Sequence, residues 1–192
     1  MTIEGVCNQA LDVIGYRRHI TSVWDGSKAA RIALNAWAET RDALLSKTQP
    51  HWAKRDDQLV LLRAAPEFHY TEVDWTPAYP DLPWLYEYDT PTTCLVPLQL
   101  KPRLAVLPNW RPRPVSFRAK QNNTDRKYTI LTNLPNAVLT CIYSVHDPDE
   151  WDLEFTEAMI QVLSHKFQVG LGERQAQPQR QQQEQPDAAN AA

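Results

Sequence analysis

The fold is decided by "HDPDEWDLEFTEAMIQVLSHKFQVGL", residues 146–171. Asp147 suits the N-cap, Pro148 suits the first helical position, and acidic residues crowd the first turn, where the helix dipole favours them. Apolar residues then recur every three or four positions, the period of a core-facing helix. Gly170 or Gly172 ends this pattern. The stretch therefore predicts a long helix over about 148–170.

Two further helices are predicted before it. The segment "IEGVCNQALDVIGY" (residues 3–16) has apolar residues at helical spacing and a glycine near its end. After the turn "TSVWDGS", either Asp25 or Ser27 caps a second helix over about 26–46. Both helices are amphipathic, so we expect both to face a core.

The middle of the chain, about 57–145, is predicted to be β-rich. Ten of the fifteen prolines lie between Pro66 and Pro114, which argues against long helices and central strands and favours edge strands, hairpins and extended arms. The apolar run 59–62 is read as a strand, although it is too short to classify by period. The segment 128–145 is read as two strands around an Asn-Leu-Pro-Asn turn, and the second of them could instead open a helix.

The expected fold class is therefore α+β and mainly helical. A bundle of two N-terminal helices and one long C-terminal helix carries a proline- and aromatic-rich β-hairpin excursion. These elements form one domain over 1–172, followed by an extended tail over 173–192. The tail holds seven glutamines and no Val, Ile, Leu, Met, Phe, Trp, Tyr or Cys, so we expect it to become ordered only on a partner.

The charges are distributed unevenly along a chain whose net charge is only −3. Eight basic residues and one acid lie between Lys101 and Lys127, whereas six acids and no basic residue lie between Asp147 and Glu157. The basic stretch could contact DNA, face solvent, or meet the acidic helix start of a neighbouring copy. We favour the last interpretation, and its candidate inter-subunit residues are Arg111, Arg113, Arg118, Asp149, Glu150 and Glu154.

The sequence contains no compact catalytic, phosphate-binding or metal-ligating motif, so we predict no catalytic residue, cofactor or metal, and no enzyme activity. The acids near residue 150 could include a carboxylate pair for glycoside hydrolysis, but helix capping explains them more simply. Three widely spaced cysteines are read as buried, reduced thiols. The sequence also lacks an export signal and a membrane-spanning run.

Seven segments in order carry a resemblance to a known family. They are "CNQALDVIG", "ITSVWDGSKAARIALNAW", "RDALL", "WAKRDDQLVLL", "PWLYEYDTPTTCL", "YTILTN" and "VHDPDEWDLEFTEAMIQVLSHKF". Together they resemble the head-to-tail adaptor proteins of tailed bacteriophages, the head completion or tail accessory factors that bind below the portal, with short-tailed phages preferred. The stretches 67–82 and 109–123 depart from the shorter family pattern.

The resemblance implies a structural virion protein at the head-tail junction, assembled in the host cytoplasm. A ring of probably twelve copies would extend the DNA channel below the portal protein, without sequence-specific DNA binding, and would support nozzle and tail fibre proteins. By position, the resemblance implies a portal-binding segment of Phe167, Leu171, Arg174, Gln177, Pro178 and Arg180. A peptidoglycan hydrolase carried in the virion is the main alternative, and a DNA-binding module is a weaker one.

Overall fold

The computed structural model describes residues 1–66, 76–103, 115–121 and 127–172. The chain divides into two compact units. The first, called the helical unit, contains Met1–Leu44 and the residues from Asp147 onward. The second, called the strand unit, contains Leu45–His146.

Three α-helices form where the sequence predicts them, with shifted ends: α1 (Ile3–Val13), α2 (Lys28–Thr48) and α3 (Leu153–Gly172). The Thr2 hydroxyl caps α1 by accepting the Gly5 amide at 3.1 Å. Ser27, one of the two predicted caps, opens α2, since its hydroxyl accepts the Ala30 amide at 3.1 Å. Helix α1 ends before Gly15, whose φ of +72° is accessible to glycine at little cost.

The predicted start of the last helix is wrong. Asp147 caps a separate 3-10 turn, Pro148–Glu150, rather than α3. Asp152 caps α3 instead, because its Oδ1 accepts the Phe155 amide at 2.8 Å. Trp151 separates the two elements in an extended conformation (φ −85°, ψ 146°). These acids therefore lie at the starts of two consecutive helical elements, whereas the sequence pattern predicts a single helix start.

Aromatic stacking and aliphatic packing hold the helical unit together. The Trp37 ring of α2 stacks on Trp151 with centroids 5.5 Å apart, and Trp151 meets the edge of Phe155 at 5.0 Å. Helix α1 packs against α3. The fully buried side chains that α3 contributes to this core are Met159, Leu163 and Phe167.

In the part of the chain that the structure describes, the strand unit contains seven strands in two antiparallel sheets. The strands are β1 (Lys54–Gln58), β2 (Val60–Ala64), β3 (Tyr86–Asp89), β4 (Cys94–Pro102), β5 (Phe117–Gln121), β6 (Tyr128–Thr132) and β7 (Ala137–Tyr143). One sheet has the order β1-β7-β4 and the other the order β2-β3-β6-β5. A common cluster of buried side chains takes members from both sheets, among them Tyr88, Ile130, Leu100 and Leu139.

The prediction of a mainly helical fold is wrong. The fold is mixed α+β, with 39% of the described residues in helices and 27% in strands. The proline content led to the wrong prediction for the strands, because the prolines lie beside strands more often than within them. Strand β3 lies centrally in its sheet, between Pro83 and Pro91, whereas β4, which contains Pro97 and Pro102, lies at a sheet edge.

The two strands predicted around the Asn-Leu-Pro-Asn turn both form, but they do not pair with one another. Strands β6 and β7 are consecutive in the chain but belong to different sheets, where each is a central strand with a neighbour on both sides. The turn residue Asn136 has a φ of +51°, and the chain passes there from one sheet to the other.

Changing Phe167 to Ala tests the packing of the helical unit. Because Phe167 is fully buried, we expect the free energy of unfolding to fall by about 3–5 kcal/mol. The matched control is Val169→Ala in the same helix, since Val169 is 51% exposed and should change stability by about 0.5 kcal/mol or less. Urea unfolding followed by circular dichroism measures both. Equal losses in the two variants would contradict this account of the core.

Candidate subunit-contact sites

Strand β2 presents apolar side chains to solvent at the edge of its sheet. Val60, Leu61 and Leu62 are 66%, 50% and 51% exposed. Among the described residues, β2 pairs only with β3, so its outer backbone groups face away from the sheet. An exposed aliphatic edge strand is a ready template for pairing with another chain, and proteins normally cover or charge such edges. This β2 edge is the clearest candidate contact site of the strand unit.

A bulge and an ion pair shape this edge. The register between β2 and β3 shifts between Leu61 and Arg63, which leaves Leu62 as the extra residue. Arg63 pairs with Glu87 on β3 and also donates hydrogen bonds to the carbonyls of Pro77 and Tyr79 at 3.0 and 3.3 Å. The end of β2 is therefore fixed in position, while the aliphatic residues before it stay accessible.

The opposite edge of the same sheet is polar. Four of the five residues of β5 are exposed, and two of them, Arg118 and Lys120, are basic. Since each neighbouring pair in the order β2-β3-β6-β5 is antiparallel, β2 and β5 run in opposite directions. The two edges of this sheet differ in chemistry and are opposite in direction.

Much of the described basic stretch already has carboxylate partners. Lys101 binds Asp56 at 3.0 Å, Lys120 binds Asp81 at 3.3 Å, and Lys127 binds Asp89 at 2.5 Å. Each ion pair neutralises a positive charge that would otherwise attract a nucleic acid. Arg118 is exposed on β5. Arg111 and Arg113 lie outside the described residues.

The pair at Asp56 ties β1 to its neighbours. Asp56 Oδ1 accepts the Thr140 hydroxyl of β7 at 2.5 Å, and both of its oxygens accept from Lys101 of β4 at 3.0 Å. The hydrogen bond from Thr140, supported by Lys101, lowers the pKa of Asp56. One carboxylate therefore links all three strands of this sheet.

The acidic start of α3 forms a second candidate contact site, on the helical unit. The three predicted inter-subunit acids, Asp149, Glu150 and Glu154, are all exposed, and Asp149 pairs with the amino group of Met1. Beside them lies an open cavity of about 490 Å³. Its lining mixes apolar side chains with carboxylates: Met1, Gln9, Pro148, Asp149, Trp151, Leu153, Thr156, Glu157 and Ile160.

The predicted portal-binding residues fall into three groups. Phe167 is fully buried in the helical unit, so it reaches no surface and contributes here only as a packing residue. Leu171 is half-buried and lines a cavity of about 720 Å³ together with Val13, Tyr16 and Gln168. The remaining predicted residues, Arg174, Gln177, Pro178 and Arg180, lie outside the described residues.

The loop between α1 and α2 carries a feature that sequence analysis missed. The turn "TSVWDGS" forms as predicted, but the Trp24 side chain is 75% exposed. A tryptophan in a short chain is normally assigned to the core because of its large apolar surface. Only the dense turn residues around Trp24 hinted that its backbone lies at the surface.

The cysteines are free and buried, as predicted. Burial raises the pKa of the Cys7 thiol to about 12, so it stays protonated at neutral pH. The hydrogen bond between the two thiols, together with burial, raises the pKa of Cys141, which neighbours Cys94 across β4 and β7. These thiols therefore act as packing groups in the two units.

Within the described ranges, no three His, Cys, Asp or Glu residues are grouped so that they could bind a metal ion. In the same ranges, no helix combines the length and apolarity needed to cross a membrane. No protein-family model matches this chain, and no curated protein does.

Replacing Thr140 with Val tests the Asp56 link. Because the folded pKa of Asp56 lies below its ordinary value, its stabilising effect is present above that value and is lost as the pH falls through the folded pKa. Thr140→Val should raise the Asp56 pKa and shrink the loss of stability on acidification. Carboxyl NMR titration and urea unfolding at pH 7 and in acid measure the two effects. An unshifted Asp56 pKa in the variant would contradict the assignment.

Proposed function

We propose that this protein is a structural subunit that assembles with copies of itself into a ring at the head-tail junction of a tailed phage, below the portal. The observation that carries the proposal is the β2 edge, where three successive aliphatic side chains are exposed and the outer backbone groups pair with no other strand of the described residues. Such an edge favours a partner that supplies a strand and an apolar surface. In this account, that partner is a second copy of the chain.

The topology of the four-stranded sheet supports a head-to-tail arrangement. Because β2 and β5 lie at opposite edges and run in opposite directions, β5 of a neighbouring copy would add to β2 as an antiparallel strand. The contact joins two unlike edges, so it is heterologous. Heterologous contacts repeat from copy to copy and close into a ring when the rotation between copies allows it.

The free energy gained by burying the β2 edge is too small to hold two copies together without further contacts. Completing the burial of three half-exposed aliphatic side chains contributes roughly 2–4 kcal/mol. Association costs an estimated 4–15 kcal/mol in lost translational and rotational freedom. Further contacts are therefore needed, and closure of a ring adds to stability because each copy is held on two sides.

The resemblance supplies the biological setting of the proposal. It supports a ring of probably twelve copies that extends the DNA channel, bears nozzle and tail fibre proteins, and binds the portal through the end of α3 and the following segment. Arg111, Arg113 and Arg118 on one copy and Asp149, Glu150 and Glu154 on the next remain proposed inter-subunit residues. Of these, Arg118 and the three acids are exposed, as a contact between copies requires.

Changing Leu61 to Lys tests the proposal. A charge in the middle of the β2 edge should prevent burial against a neighbour, so mixing this variant with the portal protein of its phage should give at least tenfold less ring complex than wild type. The matched control is Leu34→Lys on α2, because Leu34 is also exposed, at 41%, and lies outside the β2 edge. Native mass spectrometry counts the subunits bound.

The fold of both variants is checked by circular dichroism before mixing. Equal ring formation by the Leu61 variant and wild type would refute the role of the β2 edge. Absence of any complex between wild type and portal would refute the adaptor function itself.

A further inference from the structure

Two of the three cysteines lie together in the strand unit. Cys94 begins β4, and Cys141 lies in β7, the strand that pairs with β4. Both side chains are buried and belong to the same cluster of core residues. A hydrogen bond joins the two thiols. The fold therefore brings into contact two thiols that are far apart in the sequence.

The strand register explains this contact. Cys94 is opposite Tyr143, and Tyr143 and Cys141 are two positions apart in β7, so all three side chains lie on one face of the sheet. Regular diagonal neighbours lie about 7–8 Å apart, slightly more than the Cα separation of about 4.4–6.8 Å that a disulfide spans. The register shifts between Cys94 and Val96, and such a bulge interrupts the regular spacing. Because the thiols already touch, a small backbone movement is enough to allow a covalent bond.

The two thiols are not equivalent. The hydrogen bond from the Cys141 thiol lowers the pKa of Cys94, although burial and the Asp57 carboxylate act in the opposite direction. The same hydrogen bond, together with burial, raises the pKa of Cys141. Cys141 therefore holds the shared proton, and the Cys94 sulfur has more thiolate character. Since the thiolate is the nucleophilic form, Cys94 is the more reactive sulfur of the pair.

The start of β4 gives a small oxidant a route to Cys94. The turn before it contains Thr92 and Thr93, which are both exposed. The Cys94 amide donates to the Pro91 carbonyl at 3.1 Å, and the Ser144 amide donates to the Thr93 carbonyl at 2.9 Å. Among the described residues, β4 is also an edge strand. Local opening of an exposed turn at a sheet edge costs less free energy than opening the core.

The third cysteine, Cys7, provides a comparison within the same chain. It lies in α1 of the helical unit and is fully buried. Burial, reinforced by the Glu4 carboxylate, raises the pKa of its thiol to about 12. Cys7 therefore stays protonated at neutral pH, whereas the hydrogen bond from Cys141 favours the thiolate of Cys94. The pair in the strand unit is the one that is arranged for oxidation.

We infer that Cys94 and Cys141 form a disulfide bond when the protein meets hydrogen peroxide, with Cys94 reacting first and Cys141 second. The Cys94 thiolate attacks one peroxide oxygen, the O–O bond breaks, and Cys94 becomes a sulfenic acid. The other oxygen leaves as hydroxide and takes up a proton to become water.

The second step closes the bond. The Cys141 sulfur attacks the Cys94 sulfur, the S–O bond breaks, and the departing hydroxide takes the Cys141 proton and leaves as a second water. Together the two thiols lose two electrons, which reduce one hydrogen peroxide to two waters. The reaction therefore needs no further reductant or oxidant.

The disulfide would lock a strand that is held from one side. Among the described residues, β4 pairs only with β7. A covalent link at the start of β4 limits the freedom of the unfolded chain, and it does so more strongly because the cysteines are far apart in the sequence. In a reducing compartment the thiols stay free, and in oxidising surroundings the bond persists. This property of the strand unit does not depend on whether copies assemble below a portal.

Thiol counting on the purified full-length protein tests the inference. The protein is treated with hydrogen peroxide, unfolded in urea and alkylated with iodoacetamide, and its intact mass gives the number of alkylated cysteines. All three cysteines should be alkylated before treatment, and only Cys7 after it. Peptide mapping without reduction should show Cys94 joined to Cys141, and dithiothreitol should restore the reactivity of both.

The order of the two steps is tested by trapping the sulfenic acid with dimedone. In wild type, dimedone present during oxidation should label Cys94. Cys141→Ser keeps a hydrogen-bond donor for the Cys94 sulfur but removes the second thiol, so the sulfenic acid should persist and be labelled. Cys141→Ala is the matched control, because it removes the donor as well, and its Cys94 should be labelled several times more slowly. Circular dichroism checks the fold of both variants, and the wild-type result stands without them.

Stability provides an independent measurement. The oxidised protein should unfold at a urea concentration about 1–2 M higher than the reduced protein. Cys94→Ala, treated identically, controls for oxidation of other residues and should keep its midpoint.

Three alkylated cysteines after peroxide treatment, or a linked peptide that contains Cys7, would overturn the inference. A dimedone label on Cys141 rather than Cys94 in wild type would overturn the order of the steps. An oxidised protein no more stable than the reduced one would overturn the locking of β4.

Discussion

Backbone hydrogen bonding sets the main constraint on the strand unit, because every open sheet ends in two edges whose outer N–H and C=O groups need partners. The three-stranded sheet places the proline-containing β4 at one edge and the charged β1 at the other. The prolines of β4 and the charges of β1 both disfavour pairing with a further strand. The four-stranded sheet places charge on β5 but leaves aliphatic residues on β2. That difference between the edges is why β2 carries the proposed contact with a neighbouring chain.

The helical unit follows a different principle, since its helices satisfy their backbone groups internally and are held by side-chain packing. The stacked rings of Trp37 and Trp151 place the acidic start of α3 on a rigid core. The Trp24 loop is fixed by hydrogen bonds from α1 and from its own turn.

Sequence analysis found the helices because amphipathic spacing and capping residues are local signals, as at Ser27. Prediction failed where the environment of a residue depends on segments that are distant in the sequence. The apolar run around Leu61 predicts a strand, but whether that strand is covered depends on which sheet it joins and where. The proline content of the whole region argues against central strands, yet β3 is central because no proline lies within the strand itself.

The candidate contact sites were predictable only in part. The acids at Asp149, Glu150 and Glu154 were identified from charge alone, and they are exposed. The helical spacing of Phe167 predicts that it is buried, whereas its position in the family pattern implies a contact with the portal. Exposure of Trp24 depends on how the loop is tied to Asn8 and Glu4, which no local pattern reveals.

Hydrogen–deuterium exchange across β2 tests the central claim most directly, because exchange reports whether backbone amides gain hydrogen-bond partners. The measurement compares the peptide covering residues 59–65 in the free protein and in its assembled complex with portal. The account predicts that the outward amides of this peptide exchange much more slowly in the complex. Unchanged exchange across β2 in a fully assembled complex would contradict it.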